Sequence, residues 1–275
     1  MNKLIYIFCF LSFNVCLSQV VGSNHIDYTE ADTLRGSLRP ERTSFNVKKY
    51  HLRLKIEPEK EFISGSNIIS FMVNHEMPKM QLDLFENMKI DSIIHTGKKL
   101  GFERKFNAVF IDFEEPLKKG MLDSIQFYYH GKPIVAKNAP WDGGFVWSED
   151  KAGNPWIGVA VQGTGASLWY PNKDHQSDEP EEARMDIAVP NGLTNVSNGR
   201  FLGKTDLGNG FTEWSWKVVN PINNYNIMIN IGKYAHFSDK YKDLDLNYYV
   251  LEYNLDKAKK QFEEVKDMMA CFYEK

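Results

Sequence analysis

"YHLRLKIEPEKEFISGSNIISFMV", residues 50–73, alternates in a way that suits an extended chain. Tyr50, Leu52, Leu54 and Ile56 take turns with His51, Arg53, Lys55 and Glu57, so a strand would carry one apolar and one wet face. "PEKEFISG" supplies a turn, and "SNIISFMV" returns as a second strand, which predicts an antiparallel pair.

Working outward, "MQLDL" (80–84), "NAVFIDF" (107–113) and "DSIQFYYHG" (123–131) continue the series between Lys, Gly, Asn and Pro turn signals. Further on come "RMDIAVP" (184–190), "TNVSNG" (194–199), "FTEWSWKV" (211–218) and "NYNIMINIG" (224–232). With hardly a helical pattern between them, these segments predict a mainly β fold, a large antiparallel sandwich or saddle-shaped sheet. The last segment differs. In "NLDKAKKQFEEVKDMMACFYEK" (254–275), Leu255, Ala258, Phe262, Val265, Met269 and Phe272 recur at steps of three and four. That spacing predicts one amphipathic helix with Asn254 at its cap, and its apolar face needs a partner surface.

The beginning of the chain reads as an export signal. Lys3 precedes an apolar run from Leu4 to Phe13, and Cys16 and Ser18 are small residues suited to cleavage after Ser18. The run is too short to span a bilayer comfortably, and no later segment could span one, so the mature chain is expected to be soluble and exported: periplasmic, cell-envelope or secreted. Residues 19–43 lack a sustained period and predict a flexible or loosely docked lead-in.

Composition bounds the rest. The 275 residues are 43% hydrophobic and 25% charged, enough apolar content for a sizeable core. Loss of residues 1–18 removes one Lys, moving the net charge from −3 to −4, which excludes a basic nucleic-acid footprint. Cys9 and Cys16 leave with the signal; Cys271 alone cannot form an internal disulfide, so the core must hold the fold.

Several motifs invite chemistry. "HEMPK" (75–79) begins like a zinc-peptidase helix, but Lys79 stands at the second ligand position and Pro78 opposes a helix, so it reads as a turn. No other histidines pair at ligand spacing, and neither a nucleophile elbow nor a phosphate loop occurs. Asp174, Asp178, Glu179 and Glu181 lack the spacing of a calcium loop and read as solvated charges. Asn195 in "NVS" fits a glycosylation acceptor. Trp141, Trp147, Trp156 and Trp169 lie close together; such aromatics either pin loops onto a core or form a peptide or glycan platform.

The segment "WIGVAVQGTGASLWYPNKDHQSDEPEEARMDIAVPNGLTNVSNG" (156–199) resembles the N-terminal domain of the zinc aminopeptidases of the aminopeptidase N type. Its features are a Gln, then an aromatic-Pro-x-x-Asp run, a strand ending in Pro, and the "VSNG" turn. "YHLRLKIEPEKEFISGSNIISF" resembles the family's opening hairpin, and "FYYHGKPI" the strand before its Trp-rich loops. The resemblance runs from about Ser44 to the C-terminus. It implies an N-terminal β domain over 44–235, with 236–275 opening a thermolysin-like catalytic domain that would hold the His-Glu-x-x-His helix and the zinc. In such enzymes zinc polarises the carbonyl and the Glu deprotonates water. This chain contains no such motif, so catalytic and metal residues are expected outside it, as is the partner of the terminal helix.

One residue carries over. Counting back from Pro171 and Asp174, Gln162 holds the position whose side chain, in the family, reaches the active site and binds the substrate α-amine. An amide carbonyl can accept a hydrogen bond from an ammonium. Read without the family, Gln162 could equally satisfy backbone groups at a strand end. Two functions therefore stand. One is the cap of an exported metallo-aminopeptidase acting on peptides with a free N-terminus; the other is a stand-alone secreted module binding peptide or glycan through the Trp-rich loops.

Overall fold

A computed structural model describes residues 27–274; the signal-peptide reading lies outside them. Among the described residues the fold is mainly β, as the alternation predicts. An eight-stranded sheet runs in the order Arg200–Asp206, Phe211–Val218, Glu182–Pro190, Phe45–Glu57, Phe62–Val73, Leu122–Gly131, Met88–His95 and Lys98–Lys99. A four-stranded sheet holds Thr194–Ser197, Ile229–Gly232, Pro155–Ala160 and Gly144–Glu149, and a three-stranded sheet holds Met77–Asp83, Ala108–Leu117 and Phe102–Lys105. One buried cluster draws residues from all three, so the sheets share a core.

The hairpin of 50–73 sits at the centre. The turn is shorter than "PEKEFISG": it closes at Pro58–Lys60, Glu61 takes a left-handed φ of 49°, and the return strand begins at Phe62. Upstream, a bulge between Val47 and Lys49 shifts the phase, so Phe45 and Val47 join Tyr50, Leu52, Leu54 and Ile56 in the core. The strand ladders are antiparallel except where Lys49–Lys55 pair in parallel with Glu182–Ala188. Parallel neighbours need a long connection, and the intervening chain supplies it.

Residues 30–43 are not loosely docked. Thr29 and Asp32 form a reciprocal capping box that starts a helix at Glu30–Gly36. Leu34 packs against Ala108 and Phe110, Glu30 pairs with Lys105, and Pro40 opens a second short helix, Pro40–Thr43. Local polarity conceals these short helices because each buries a single side chain, Leu34 in one and Arg42 in the other.

At the other end, Tyr234–Tyr241 and Leu244–Leu251 form a separate hairpin. The terminal helix is broken into Leu255–Gln261 and Val265–Glu274 by a 3-10 turn at Phe262–Glu264. Phe262 stacks on Tyr248 (4.8 Å) and Phe237 (6.2 Å), so the hairpin is the helical segment's partner within the chain. That cover is partial: Leu255, Ala258, Val265 and Met269 stay half-buried, and Phe272 is exposed. Asn254 makes no capping bond, because Glu252–Asn254 already coil into a 3-10 turn and leave it without the extended backbone a cap requires.

Candidate functional site

The run Trp169–Asp174 forms a dense corner. Trp169 and Tyr170 are fully buried, with Tyr170 edge-on to Tyr50 at 5.7 Å. Asn67 Nδ2 donates to the Pro171 carbonyl (2.9 Å), and Asn172 exchanges backbone bonds with Asp83 (2.8 and 3.1 Å). Asn224 Nδ2 donates to Asn172 Oδ1 (3.1 Å) and to the Lys173 carbonyl (2.8 Å). Asp174 accepts from Ser167 through its amide (3.2 Å) and hydroxyl (2.6 Å).

Beneath this corner lie two buried ion pairs. Lys173 Nζ meets Asp178 at 2.9 Å and also donates to the Phe45 carbonyl (2.8 Å); burial lowers the lysine's pKa while Asp178 opposes the shift. Asp178 is therefore a buried structural anion, against the expectation of a solvated charge: Lys173, five residues earlier, turns inward to meet it. Arg42, without exposed surface, pairs with Asp83, which also accepts from Gln81 Nε2 (3.2 Å) and the Asp174 amide (3.1 Å). Burial pushes the Asp83 carboxyl up to about 6, against the pull of Arg42.

Gln162 stands on a tight turn beside this corner. Val161 O accepts from the amides of Thr164 (3.1 Å) and Gly165 (2.8 Å), and Gly163 and Gly165 adopt φ of +73° and +96°. At Gly165 an added Cβ would lie 2.2 Å from Asp174 Oδ2, so the turn and the corner touch where only glycine fits. The Gln162 side chain is exposed and has no hydrogen-bond partner among the described residues. It does not satisfy backbone groups at a strand end. It lines a cleft of ≈ 720 Å³ together with Tyr28, Arg35, Asp174, His175 and Tyr225. Burial and the Arg42 charge lower the pKa of the His175 imidazole, whose Nδ1 accepts from the Ser177 amide (3.0 Å).

The helix Glu30–Gly36 reaches this site, which a loosely docked lead-in does not predict. Arg35 Nη2 donates to the carbonyls of Gly163 (3.0 Å) and Thr164 (2.6 Å). The Thr29-x-x-Asp32 pattern was the signal for a helix there; nothing local in the sequence pointed Arg35 at residue 163.

The other candidates disperse. His75 and Glu76 occupy a turn, and Met77 to Lys79 begin a strand at a bulge. Asn195 is fully buried, its Nδ2 donating to Ser197 Oγ (3.2 Å), so the folded protein presents no glycan acceptor there. The Trp-rich region is partly sheet: Trp147 and Trp156 lie in strands, Trp169 is core, and only Trp141, 84% exposed, projects from a loop. Trp156 Nε1 donates to Tyr234 Oη (3.0 Å) at a second cleft, ≈ 690 Å³, shared with Tyr249, Leu251, Lys257 and Phe262. Among the described residues no three His, Cys, Asp or Glu side chains stand close enough to hold a metal ion. No helix among them is long and apolar enough to cross a membrane.

No protein-family model matches the sequence, and no curated protein matches it. Solved structures do share its fold. The M1 zinc metallopeptidase of Deinococcus radiodurans aligns with a TM-score of 0.61 and 18% identity over 72% of this chain and 44% of its own. A variant of that enzyme bound to a Tyr-Ser-Ala substrate aligns with a TM-score of 0.64 and 18% identity, over 75% of this chain and 47% of its own. Native leukotriene A4 hydrolase of Saccharomyces cerevisiae gives 0.64 and 18%, over 80% and 33%. The chain therefore spans less than half the length of each of these structures. The chain thus shares the fold of a part of the M1 zinc metallopeptidase structures, in agreement with the resemblance read from the sequence.

Proposed function

We propose that this chain is the N-terminal portion of an exported zinc metallo-aminopeptidase, which caps the active site and helps bind the α-amine of a peptide with a free N-terminus. The fold shared with M1 zinc metallopeptidases supports this reading, as does the partial cover of the helical segment 255–274, an apolar face suited to a following catalytic domain. One observation carries it: Gln162 is exposed, unpartnered and mounted on a glycine turn at the rim of a cleft large enough for a peptide end. Its amide carbonyl accepts from an ammonium, and a site built that way measures one residue from the chain terminus. On this proposal zinc and the hydrolytic groups belong to the remainder of the enzyme, as the family resemblance implies.

The test is Gln162→Ala in the full-length protein. Loss of one hydrogen bond to a charged group should raise KM for free-amine substrates by about tenfold. An unchanged KM would reduce Gln162 to scaffolding. The 275-residue chain alone should neither hydrolyse aminoacyl anilides nor bind stoichiometric zinc; tight zinc in the purified chain overturns the division of labour.

The exposure of Trp141 and Trp156 favours a second reading, a module that binds peptide or glycan. Affinity for either that falls on replacing both tryptophans, with no peptidase encoded downstream, would select it.

A further inference from the structure

Resting on that reading of Gln162, we infer that Arg35 is a positioning residue: it braces the Gln162 turn and thereby sets the affinity for the substrate amine.

The turn is poorly constrained by its own sequence. Two of its residues are glycines at positive φ, and its internal closure rests on the two amides that bond Val161 O. Outside help comes from the Gly143 amide, which donates to Thr164 Oγ1 (3.0 Å), and from Arg35, whose single Nη2 reaches both the Gly163 and Thr164 carbonyls. Those are the carbonyls of the two residues that follow Gln162. A guanidinium here supplies two charge-assisted bonds to groups that a neutral glycine turn would otherwise leave to water.

The brace is itself anchored. Arg42 Nη1 donates to the Arg35 carbonyl, and Gln81 Nε2 donates to the Leu34 carbonyl at 2.9 Å. Arg42 and Gln81 both bond the buried Asp83 carboxylate, on the strand Met77–Asp83. Leu34 is buried against Ala108 and Phe110, and Glu30 pairs with Lys105. The helix Glu30–Gly36 thus spans from the three-stranded sheet to the Gln162 turn. A segment needed only to lead into the first strand would require none of this.

The experiment compares Arg35→Ala, Arg35→Lys, Gln162→Ala and the Arg35→Ala/Gln162→Ala double variant in the full-length protein. Amide hydrogen exchange at Thr164 and Gly165 should accelerate about tenfold in Arg35→Ala. Exchange in the strands 45–73 should stay unchanged, and Arg35→Lys should recover part of the protection. KM for a free-amine substrate should rise about fivefold in Arg35→Ala with kcat within about twofold, and the double variant should bind no more weakly than Gln162→Ala alone. Unaltered exchange at Thr164 and Gly165 overturns the brace. Accelerated exchange with an unaltered KM, where Gln162→Ala does raise KM, overturns the link to substrate. If Gln162→Ala itself leaves KM unchanged, the functional reading of Gln162 fails, and the exchange data still judge the brace separately.

Discussion

A guanidinium without exposed surface is tolerable only while its counter-ion stays in place. At pH 8, where Asp83 is ionised, Asp83→Ala would strand Arg42 and should cost about 3–5 kcal/mol in chemical denaturation. A cost below 1 kcal/mol would mean that Arg42 swings out to water. Glycine at 165 makes a sharper comparison. Gly165→Ala meets both a positive φ and the Asp174 carboxylate and should cost about 2 kcal/mol or more, whereas Gly163→Ala meets open space and only the backbone penalty, about 1 kcal/mol. Equal losses would contradict the contact between turn and corner. On the large sheet, burial pushes the Asp186 carboxyl up, yet hydrogen bonds from His51 (2.6 Å), Ser215 and Arg184 (3.0 Å) outweigh it and hold the pKa at about 2. A depressed carboxylate stabilises the fold above its unfolded pKa, and that contribution is lost as pH falls through 2. Between pH 4 and 2 stability should drop by roughly 2 kcal/mol through this group, and His51→Ala should flatten the slope.

The elements differ in how openly the sequence announces them. Tyr50 to Ile56 declare their strand by period alone, because every second side chain enters one core. The bulge at Val47 and Lys49 hides that period one turn earlier, since a single extra residue reverses which positions face inward. The helix Glu30–Gly36 was illegible as a docked element: seven residues are too few to show a face, and its reasons for docking lie far along the chain. Gln162 came into view only through the family resemblance, which its distance from Pro171 and Asp174 served to place; its freedom from partners is a property of the fold. The terminal helical segment shows its apolar positions in the sequence, but not its break, its seat on the hairpin or the exposure of Phe272. Phe262 links it to the hairpin beside the Lys266–Asp239 ion pair (2.8 Å) and Tyr273 against Tyr241 (6.2 Å), so Phe262→Ala should make residues 255–274 more open to proteolysis while leaving the unfolding midpoint of the β core within about 1 °C. A matching fall in both would make hairpin, helices and sheets one cooperative unit.

At the scale of the molecule, protection should follow the shared core. Amides of Phe45–Val73 should exchange only through global unfolding, those of 234–274 at least about a hundredfold faster, a difference that exchange mass spectrometry resolves. Uniform protection would show that the terminal hairpin is bonded to the sheets more strongly than its exposed surface implies. The parallel seam between Lys49–Lys55 and Glu182–Ala188 has a further consequence, in time rather than space. As the nascent chain leaves the ribosome, the hairpin 45–73 can close at once, but one flank of its first strand has no partner until residue 190 has been synthesised. Over the synthesis of residues 74–190 this protein displays a raw, adhesive edge, and whatever guards newly made chains must shield it there first.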